Sequence, residues 1–584
     1  MKYSDQIAVW LKDLGYTHYF YVGGGNIMHL TESLSRHLTG VPVVHEVAAG
    51  IAAEYFNEVS EPGTRALALV TAGPGLTNIV TAVSGAWLES RELLVIGGQV
   101  KVTDLASDDL RSRGIQEIKG VELMTSTTKL ARRLAVPVGG AEFARMVFAS
   151  WQPRKGPVFL EIPLNVQAAS VEEESIAEIP SVNLPVIAPA DLDDIVHRFN
   201  LARKPVLLIG GGVDYVTARA LEKRFSDADV PLMTTYNGSD RVDGLAPNYL
   251  GRPNTWGQRS SNILIQQADL IIAIGTRLGM QQTGFNWQEF GRNAYVVQVE
   301  IDQAELDKGH PRVDRALRVD ANDFLTRFMS ADLGSHPAWL DYARKVRSLV
   351  PRIEDVNKTG EDYISPYEFI LNLEDITTPE DIFIPCSSGS AFTLSMQLYR
   401  QKLGQRILTN KSLASMGYGL SGAIGACFGA GNRRRTILVE GDGGFAQNMQ
   451  EVGTAEINKL NLKLFIFHDQ GYASIRMTQI NYFGGKYLGC DRSSGLGLPN
   501  WDKLFAAWNV PVMHVNRGYT LDPEFRTRFN SPGLCAFIVD IDPEQTYLPK
   551  ISSRVTATGS MESNPIDRMS PEIDYLGGLT VADN

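Results

Sequence analysis

Two acidic residues, Asp442 and Asp469, follow apolar segments that are typical of buried β-strands. One lies in Gly441-Asp442-Gly443-Gly444 and the other in His468-Asp469-Gln470-Gly471. Side chains beyond the carboxyl ends of parallel strands meet at one edge of a sheet, where such sheets bind ligands. Glycine lets the backbone approach a phosphate, and a helix start offers free N–H groups. A divalent cation with oxygen ligands would then join both carboxylates to a diphosphate.

A third acidic residue, Glu46, follows a short apolar run and opens a segment of small residues. His45-Glu46 could begin a zinc-binding HExxH motif, but residue 49 is alanine, which excludes that motif. A glutamate at a helix start is also favoured by the helix dipole alone. Glu46 is therefore a candidate catalytic carboxylate whose role depends on its surroundings.

These candidates need a scaffold of parallel sheets. Apolar strand-like runs alternate with helix-length amphipathic segments along the 584 residues, a pattern that indicates α/β domains. An acidic, proline-containing stretch at 170–189 and a helical-looking stretch at 333–366 divide the chain. We predict three doubly wound α/β domains with parallel central sheets at 1–175, 188–332 and 362–550. A tail at 551–584 could close over the active site.

The composition disfavours several classes of protein. Hydrophobic residues make up 44% and charged residues 21%, which indicates a folded globular chain rather than a disordered one. The net charge of −11 disfavours binding to nucleic acid or to an anionic membrane. No apolar run reaches the roughly 18–20 residues of a membrane span, and the first residues have no signal-peptide pattern. We therefore expect a cytoplasmic protein that acts on small molecules.

The two acidic loops resemble the thiamine diphosphate (ThDP) motif, which opens with Gly-Asp-Gly and closes with an Asn pair. The second acid here lies 469 − 442 = 27 residues after the first, a similar gap, and His468-Asp469 replaces the Asn pair. The resemblance implies that the side chains of Asp442 and Asp469 and the carbonyl of Gly471 hold Mg²⁺. The extra carboxylate should change the charge at the metal but still supplies an oxygen ligand.

Further segments extend the resemblance over nearly the whole chain, to the acetohydroxyacid synthase-like branch that includes pyruvate oxidase. Thr71-Ala-Gly-Pro-Gly-Leu-Thr-Asn78 resembles the segment that lies against the pyrimidine ring. The resemblance then makes Glu46 the carboxyl group that activates the cofactor, Gln116 a glutamine that reaches the active site across the interface, and Met416 the residue that bends ThDP. In that family Glu46 and the diphosphate site lie on different subunits, so a homodimer is the minimum and a homotetramer is common.

The same resemblance implies a set of ThDP contacts in loops and at helix starts. The assignment is weakest where the family's Gly-Gln-His is replaced by Ala391-Phe392-Thr393. The implied contacts are Gly25, Asn26, Pro74, Asn78, Ser388, Ser390, Thr393, Gly441, Gly443, Gly444, Gly471, Tyr472 and Ala473.

The middle block resembles the flavin-binding domain of acetohydroxyacid synthases. Leu250-Gly-Arg-Pro-Asn-Thr255 is similar to their Leu-Gly-Met-His-Gly-Thr, and Gly275-Thr-Arg277 with the later Thr283-Gly284 is similar to their Gly-Ala-Arg and Thr-Gly. Acidic residues at strand ends suit ribose hydroxyls. We expect bound FAD, although many relatives keep this domain empty. The implied contacts are Gly210, Gly211, Gly212, Thr235, Tyr236, Leu250, Gly251, Arg252, Pro253, Gly275, Arg277, Thr283, Glu300, Ile301, Asp302 and Asp320.

The resemblance implies decarboxylation of pyruvate, after which related enzymes diverge. The family resemblance favours carboligation of the two-carbon unit to a ketone or 2-keto acid, with FAD in a structural role. Acetohydroxyacid synthases have a tryptophan nine residues past the second Asn, where this chain has Thr478, so we expect a roomier acceptor pocket. The segments Asp469–Arg476 and Ser560–Pro565 resemble a branch that modifies nucleotide-linked keto sugars, as in yersiniose biosynthesis, and Arg476 could meet a phosphate or carboxylate or be a solvated side chain.

Three alternatives stay open at this stage. The chain could be an ordinary acetolactate synthase or a pyruvate oxidase. It could also be a catalytically silent ThDP-fold binding protein, which His468-Asp469 would favour if the altered metal site fails.

Overall fold

The computed structural model describes residues 1–107, 109–176, 178, 181–386, 388–555, 557–574 and 577. The chain divides into two compact units. The first comprises Met1–Val182, Asp381–Ala391 and Leu408–Asp540, and the second comprises Asn183–Glu380, Phe392–Ile407 and Ile541–Asn584.

The N-terminal part of the first unit is a parallel six-stranded sheet in the order β2-β1-β3-β4-β6-β5. Its strands are β1 (Tyr16–Tyr21), β2 (Thr39–Pro42), β3 (Arg65–Val70), β4 (Leu93–Gln99), β5 (Leu130–Arg133) and β6 (Pro157–Pro163). Its helices are α1 (Tyr3–Asp13), α2 (Met28–Leu34), α3 (Glu46–Val59), α4 (Pro74–Glu89), α5 (Gly120–Met124), α6 (Gly140–Phe148) and α7 (Leu164–Gln167). The central strands are continuous apolar runs because helices cover them.

The second unit contains a parallel five-stranded sheet in the order β11-β10-β9-β7-β8. Its strands are β7 (Pro205–Ile209), β8 (Leu232–Thr234), β9 (Leu270–Ile274), β10 (Tyr295–Glu300) and β11 (Arg315–Arg318). Separate apolar clusters pack around its strands. The helices are α8 (Pro189–Leu201), α9 (Tyr215–Ala220), α10 (Glu222–Asp227), α11 (Arg259–Gln267), α12 (Met280–Thr283), α13 (Gln303–Asp307), α14 (Ala321–Ser330), α15 (Pro337–Leu349) and α16 (Pro366–Ile376).

The C-terminal part of the first unit pairs β12-β14-β15-β17-β16 in parallel. The strands of this part are β12 (Ile382–Ile384), β14 (Thr436–Gly441), β15 (Leu462–His468), β16 (Val512–Val515) and β17 (Cys535–Asp540), whereas β13 (Arg406–Ile407) belongs to the second unit. The helices are α17 (Gly389–Leu398), whose residues from Phe392 onward count with the second unit, α18 (Tyr418–Gly429), α19 (Asp442–Phe445), α20 (Val452–Ile457), α21 (Ala473–Phe483), α22 (Trp501–Ala507) and α23 (Pro523–Asn530). Three α/β domains with parallel sheets are therefore present, and the predicted fold class is confirmed.

The residues after Pro549 form two short antiparallel pairs. They are β18 (Lys550–Ile551) with β21 (Met569–Ser570), and β19 (Ser553–Val555) with β20 (Met561–Ser563). Ile566 and Met569 are buried, and Ile566 lies against Gly284 of the second unit. The described residues of the tail predicted to begin at 551 thus form part of the second unit, while 556, 575–576 and 578–584 lie outside the described residues. No helix among the described residues is long and apolar enough to cross a membrane.

Candidate active site

The structure places Asp442 and Asp469 directly after two neighbouring strands. β14 and β15 pair in parallel, with Gly441 opposite Phe467, so both acidic side chains lie at the carboxyl edge of the sheet. Asp442 is 0% exposed and Asp469 is 2% exposed. Two carboxylates withdrawn from water need compensating charge, because ionised groups are costly to bury unpaired.

The Asp442 carboxylate ties the two loops together. It accepts hydrogen bonds from the backbone N–H groups of Gly443 at 2.6 Å, Gln470 at 3.0 Å and Gly471 at 3.3 Å. Gly471 has φ +147°, and a Cβ atom there would lie 2.1 Å from the Cys490 carbonyl oxygen. Only glycine fits this position, and its carbonyl is the oxygen that is predicted to bind the cation.

Arg476 is buried beside Asp469 rather than solvated. Its Nη2 atom donates to the Asp469 backbone oxygen at 2.6 Å and to Asp469 Oδ1 at 3.3 Å. Its Nε and Nη1 atoms are buried and have no hydrogen-bond partner among the described residues. The residue predicted to contact substrate therefore also supports the loop that carries Asp469.

The charges at this edge favour a bound cation. Burial raises the pKa of Asp469, the neighbouring Asp442 raises it further, and Arg476 opposes both effects. Burial likewise raises the pKa of Asp442. No group of three or more His, Cys, Asp or Glu side chains among the described residues could hold a metal. A cation here would therefore take backbone and ligand oxygens in addition to the two carboxylates.

His468 is held by a different partner. Its Nδ1 atom lies 2.8 Å from Oδ1 of Asp540 at the end of β17, and Asp540 Oδ2 lies 3.1 Å from Nδ1 of His514. The hydrogen bond to Asp540 raises the pKa of His468. His468, which replaces the first Asn of the family's pair, therefore has a hydrogen-bond partner at the edge of the sheet.

Met416 lies in the loop before α18, and a hydrogen bond to the next residue holds this loop in place. Gly417 has φ +79°, and its carbonyl accepts a hydrogen bond from Asn448 Nδ2 at 2.7 Å. The Gln447 amide lies 3.6 Å from the Met416 sulfur, and the Met416 side chain is partly exposed. Glu440 is buried against the first turn of α18, where burial raises its pKa to about 8 and the backbone of Gly419 opposes the shift.

Glu46 begins α3 as predicted and is buried at 7% exposure. Asn78 Nδ2 donates to Glu46 Oε2 at 2.9 Å, so the predicted pyrimidine segment touches the predicted catalytic carboxylate. Pro74 begins α4, and Gly73 before it has φ +65°. These residues follow β2 and β3 and therefore lie at one edge of the N-terminal sheet.

Two further loops reach this edge. Gly24, after β1, packs on Thr71, whose Oγ1 atom is buried without a hydrogen-bond partner among the described residues. The neighbouring predicted contacts Gly25 and Asn26 begin a short 3₁₀ turn, and the Asn26 carbonyl accepts from Gln167 at 2.7 Å. Gln116, after β4, has φ +63° and lies against Gly73 within the same chain.

Glu451 connects the two parts of the first unit. Its Oε1 atom accepts hydrogen bonds from the backbone N–H groups of Val44 at 3.1 Å and His45 at 3.0 Å, immediately before Glu46. Glu440 and Glu451 escaped the sequence analysis. For Glu440 the available signal was a carboxylate at the end of the apolar strand β14, whereas Glu451 follows the polar residues Asn448 and Gln450 and carries no such signal.

In the second unit, the glycine run after β7 meets the loop after β9. Gly212 N–H donates to the Gly275 carbonyl at 2.9 Å, and a Cβ atom on Gly210 would lie 2.3 Å from that oxygen. Tyr236, after β8, is buried and its hydroxyl has no hydrogen-bond partner among the described residues. An unpaired buried hydroxyl at this edge fits a bound polar ligand.

Several predicted flavin contacts already have structural tasks. The Arg252 guanidinium is buried and donates to the carbonyl of Met396 at 3.0 Å and to Gln401 Oε1 at 3.1 Å. Asp302 accepts from Ala304 N–H and so caps α13, and Asp320 caps α14 in the same way. Asp302 and Asp320 therefore serve as helix N-caps, and Arg252 holds its own loop in place. Their flavin contacts stay predictions.

Five more of the predicted site residues lie on or beside helices α17 and α21, and their roles stay predictions. Ser388, Ser390 and Thr393 lie at or near the start of α17. Tyr472 precedes α21 and packs on Gly443. Thr478 is on the exposed face of α21 and donates to the Ser474 carbonyl at 2.9 Å.

Three segments of the chain match models of known protein families. The N-terminal TPP binding domain of thiamine pyrophosphate enzymes matches residues 1–123, their central domain matches 192–328, and their C-terminal TPP binding domain matches 387–539. This chain belongs to the thiamine pyrophosphate enzymes. The predicted family is confirmed, and the two edges described above lie in its two cofactor-binding domains.

Within that family the chain is similar to acetolactate synthase large subunits. It is 27% identical to the Acetolactate synthase isozyme 1 large subunit of Escherichia coli (strain K12), over 91% of this chain and 92% of the relative. It is also 27% identical to isozyme 2 of the same organism, over 96% and 98%. The chloroplastic Acetolactate synthase 2 of Nicotiana tabacum is 27% identical, over 94% and 84%.

The residues of this thiamine pyrophosphate enzyme fit the cofactor at both edges. A Cβ atom on Gly441 would meet no other atom within 4 Å, so the strand end before Asp442 is open to a ligand. The unpaired Nε and Nη1 atoms of Arg476 and the unpaired Thr71 hydroxyl are donors that a ligand or its solvent shell would satisfy.

Proposed function

We propose that this chain is a ThDP- and Mg²⁺-dependent enzyme that decarboxylates pyruvate and joins the remaining two-carbon unit to a ketone or 2-keto acid. The observation that carries the proposal is the buried pair Asp442 and Asp469 at adjacent strand ends in one cofactor-binding domain, together with the buried Glu46 in the other. The similarity to acetolactate synthase large subunits supports the choice of pyruvate.

The chain's residues divide the work by position. When bound, ThDP supplies the electron sink for decarboxylation. Asp442, Asp469 and the Gly471 carbonyl would hold Mg²⁺ and, through it, the diphosphate. Glu46 Oε2 is fixed by Asn78, whereas Oε1 accepts no hydrogen bond from the described residues and would exchange a proton with the cofactor's ring nitrogen. Met416 and Gln116 would shape the space beside the reacting carbon.

The bond changes balance without an oxidant. The bond between the carboxylate and the keto carbon of pyruvate breaks, CO₂ leaves, and the keto carbon bonds to the acceptor's carbonyl carbon, whose oxygen takes a proton. FAD in the second unit would therefore act structurally. The close glycine backbones at Gly212 and Gly275 and the unpaired Tyr236 hydroxyl support a flavin site. Denaturing protein produced with saturating flavin should release FAD, and none released would remove this part of the proposal.

The acceptor is proposed to be larger than a simple 2-keto acid. The tryptophan of acetohydroxyacid synthases is replaced by Thr478, which is exposed on α21 in this chain, and a smaller side chain leaves more space for a ligand. A nucleotide-linked keto sugar belongs to this class. The proposal also includes a homodimer or homotetramer as the active assembly and the domain limits 1–175, 188–332, 362–550 and 551–584.

The deciding experiment is product analysis from pyruvate with ThDP, Mg²⁺ and FAD, with and without bulky ketones. Tertiary alcohols formed from the ketones, with release of CO₂, are the expected result. Acetolactate alone, unchanged by added ketones, would instead make the chain an ordinary acetolactate synthase, the second candidate that the relatives favour. Acetate formed with flavin reduction would point to an oxidase and overturn the carboligation.

A further inference from the structure

An arginine-rich cavity lies entirely within the second unit, outside every residue assigned above to ThDP or FAD. Its volume is about 250 Å³, close to the lower end of the roughly 300–1,000 Å³ of ligand pockets. Thirteen described residues line it and none is a carboxylate. The cationic lining residues are Arg259, Arg344, Arg347, Arg352 and Arg400.

The carboxylates nearest to these arginines do not cancel their charge. Arg352 and Arg400 share one partner, Glu374, at 2.6 and 2.7 Å. Arg259 is paired with Glu354, and Arg344 is paired with Asp341. Five guanidinium groups therefore meet three carboxylates in the described ion pairs, which leaves a local excess of two positive charges.

Arg347 is the cation of this group that pairs with no carboxylate among the described residues. Its Nη1 atom donates to the Tyr249 carbonyl. Burial lowers the pKa of Arg347, and the positive charges of Arg400 and Arg352 lower it further. A partly buried guanidinium beside two others is stabilised when an anion enters between them.

The backbone adds to the same field. The first turn of α11 contributes Arg259 and Ser260 to the cavity wall, next to the N-cap residue Gln258. The N-terminus of a helix carries a partial positive charge and unpaired N–H donors. Several arginine forks and a helix start offer more donors than a single carboxylate can accept, and a phosphate group has more oxygens to accept them.

We propose that this cavity binds a diphosphate group, and we name it the arginine cavity. Inorganic pyrophosphate and the diphosphate of a nucleotide share this chemistry, and both fit a small, strongly cationic pocket with an open side. The site is separate in its residues from the proposed catalytic edges, so binding here does not depend on the carboligase proposal.

The test uses the full chain saturated with ThDP, Mg²⁺ and FAD, so that neither pyrophosphate nor a nucleotide can bind in place of a cofactor. Titration calorimetry with inorganic pyrophosphate and with uridine diphosphate should show saturable, salt-weakened binding. Tighter binding of the nucleotide than of pyrophosphate identifies a nucleotide as the source, whereas equal affinities identify the diphosphate alone. Uridine, which lacks phosphate, should not bind. Absence of binding by both diphosphates would overturn the proposal.

Variants then locate the site. Arg347→Gln should weaken pyrophosphate binding by about tenfold or more, which corresponds to loss of one charge-assisted contact. Ser348→Asp adds a negative charge to the wall without removing an arginine, and it should weaken pyrophosphate binding by a similar factor. It replaces Arg347→Gln as the test if that variant does not fold. Lys345→Gln is the matched control, because it removes one charge from the same helix at a residue that does not line the cavity. Unchanged affinity in both Arg347→Gln and Ser348→Asp would contradict the assignment.

Discussion

At the scale of single residues, the most consequential side chain is the carboxyl group of Glu46. It is buried at the start of α3, held on one oxygen by Asn78, and adjacent to backbone groups that Glu451 fixes. Burial and a single fixed hydrogen bond orient a carboxyl group for proton exchange while keeping water away from it. We therefore propose a chemical rather than a packing role for Glu46 in the reaction.

Replacing Glu46 by glutamine should abolish turnover and leave cofactor binding nearly intact. The amide keeps the size and the hydrogen bond to Asn78 but cannot exchange a proton, so the rate should fall by about 10²-fold or more, the usual contribution of general acid–base catalysis. Product formation from pyruvate and ThDP affinity by fluorescence quenching measure the two effects separately. Glu61→Gln, at an exposed position, is the matched control. A fully active Glu46→Gln enzyme would remove the proposed mechanism.

The pair Asp469 and Arg476 explains how the chain tolerates a carboxylate where its relatives' motif has asparagine. Arg476→Gln should destabilise the protein, because it leaves Asp469 buried without its positive partner, a change that costs about 3–5 kcal/mol. Asp469→Asn in the same chain should recover most of the loss. Thermal unfolding of Arg476→Gln, Asp469→Asn and the double variant measures these effects. A chelator is present so that a bound cation does not compensate the charge of Asp469.

The recovery is the decisive readout for this pair. A double-mutant cycle isolates the coupling between the two side chains from their separate contributions. If Arg476→Gln and Asp469→Asn lower the unfolding temperature additively, then Arg476 does not compensate Asp469. Contact with the acceptor substrate would then be the better explanation for the position of Arg476.

At the scale of elements, helices α3 and α18 bring the two halves of the first unit together. Gly425 of α18 lies so close to α3 that a Cβ atom would sit 2.1 Å from the Ala52 carbonyl oxygen. Glu54 of α3 is buried and accepts hydrogen bonds from Arg91 at 2.8 Å and from the Tyr418 hydroxyl of α18. The starts of both helices carry proposed site residues, so their packing also sets the geometry of Glu46 and Met416.

Gly425→Ala should therefore destabilise the protein, although alanine is intrinsically the better helix former. The added methyl group meets backbone that cannot move aside without separating the helices, and overpacking of this kind costs about 1–3 kcal/mol. Differential scanning calorimetry should show a lower unfolding temperature, together with weaker ThDP binding. Gly497→Ala is the control, because a Cβ atom there has no neighbour within 4 Å. Equal stability of both variants would contradict the close packing.

The sequence predicts these elements well but not their cross-connections. The alternation of apolar strands and amphipathic helices is local, so the three parallel sheets and the positions of Asp442, Asp469 and Glu46 at strand ends follow from it. Glu451 contacts Val44 across 407 positions, and Arg252 contacts carbonyl groups in the segment 396–401. Such contacts depend on how distant elements pack, which spacing along the chain does not encode.

At the scale of the whole molecule, the resemblance to acetohydroxyacid synthases predicts that each active site combines two subunits. Glu46 would come from one subunit and the edge carrying Asp442 and Asp469 from another. A symmetric assembly then contains equivalent active sites. Each site needs an intact Glu46 from one subunit and an intact Asp442 edge from the other. This arrangement makes a prediction that does not depend on which acceptor the enzyme uses.

Co-expression of Glu46→Gln and Asp442→Asn chains with different affinity tags should restore activity that neither variant has alone. With random assembly, about one quarter of all sites, and about one half of the sites in a mixed dimer, would receive an intact Glu46 from one chain and an intact Asp442 from the other. Product formation from pyruvate by the doubly purified assembly measures the recovery. Co-expression of two tagged copies of the same variant is the control and should stay inactive. A verified mixed assembly without activity would mean that each site is built within one chain, because every chain then carries one defect and no site escapes it.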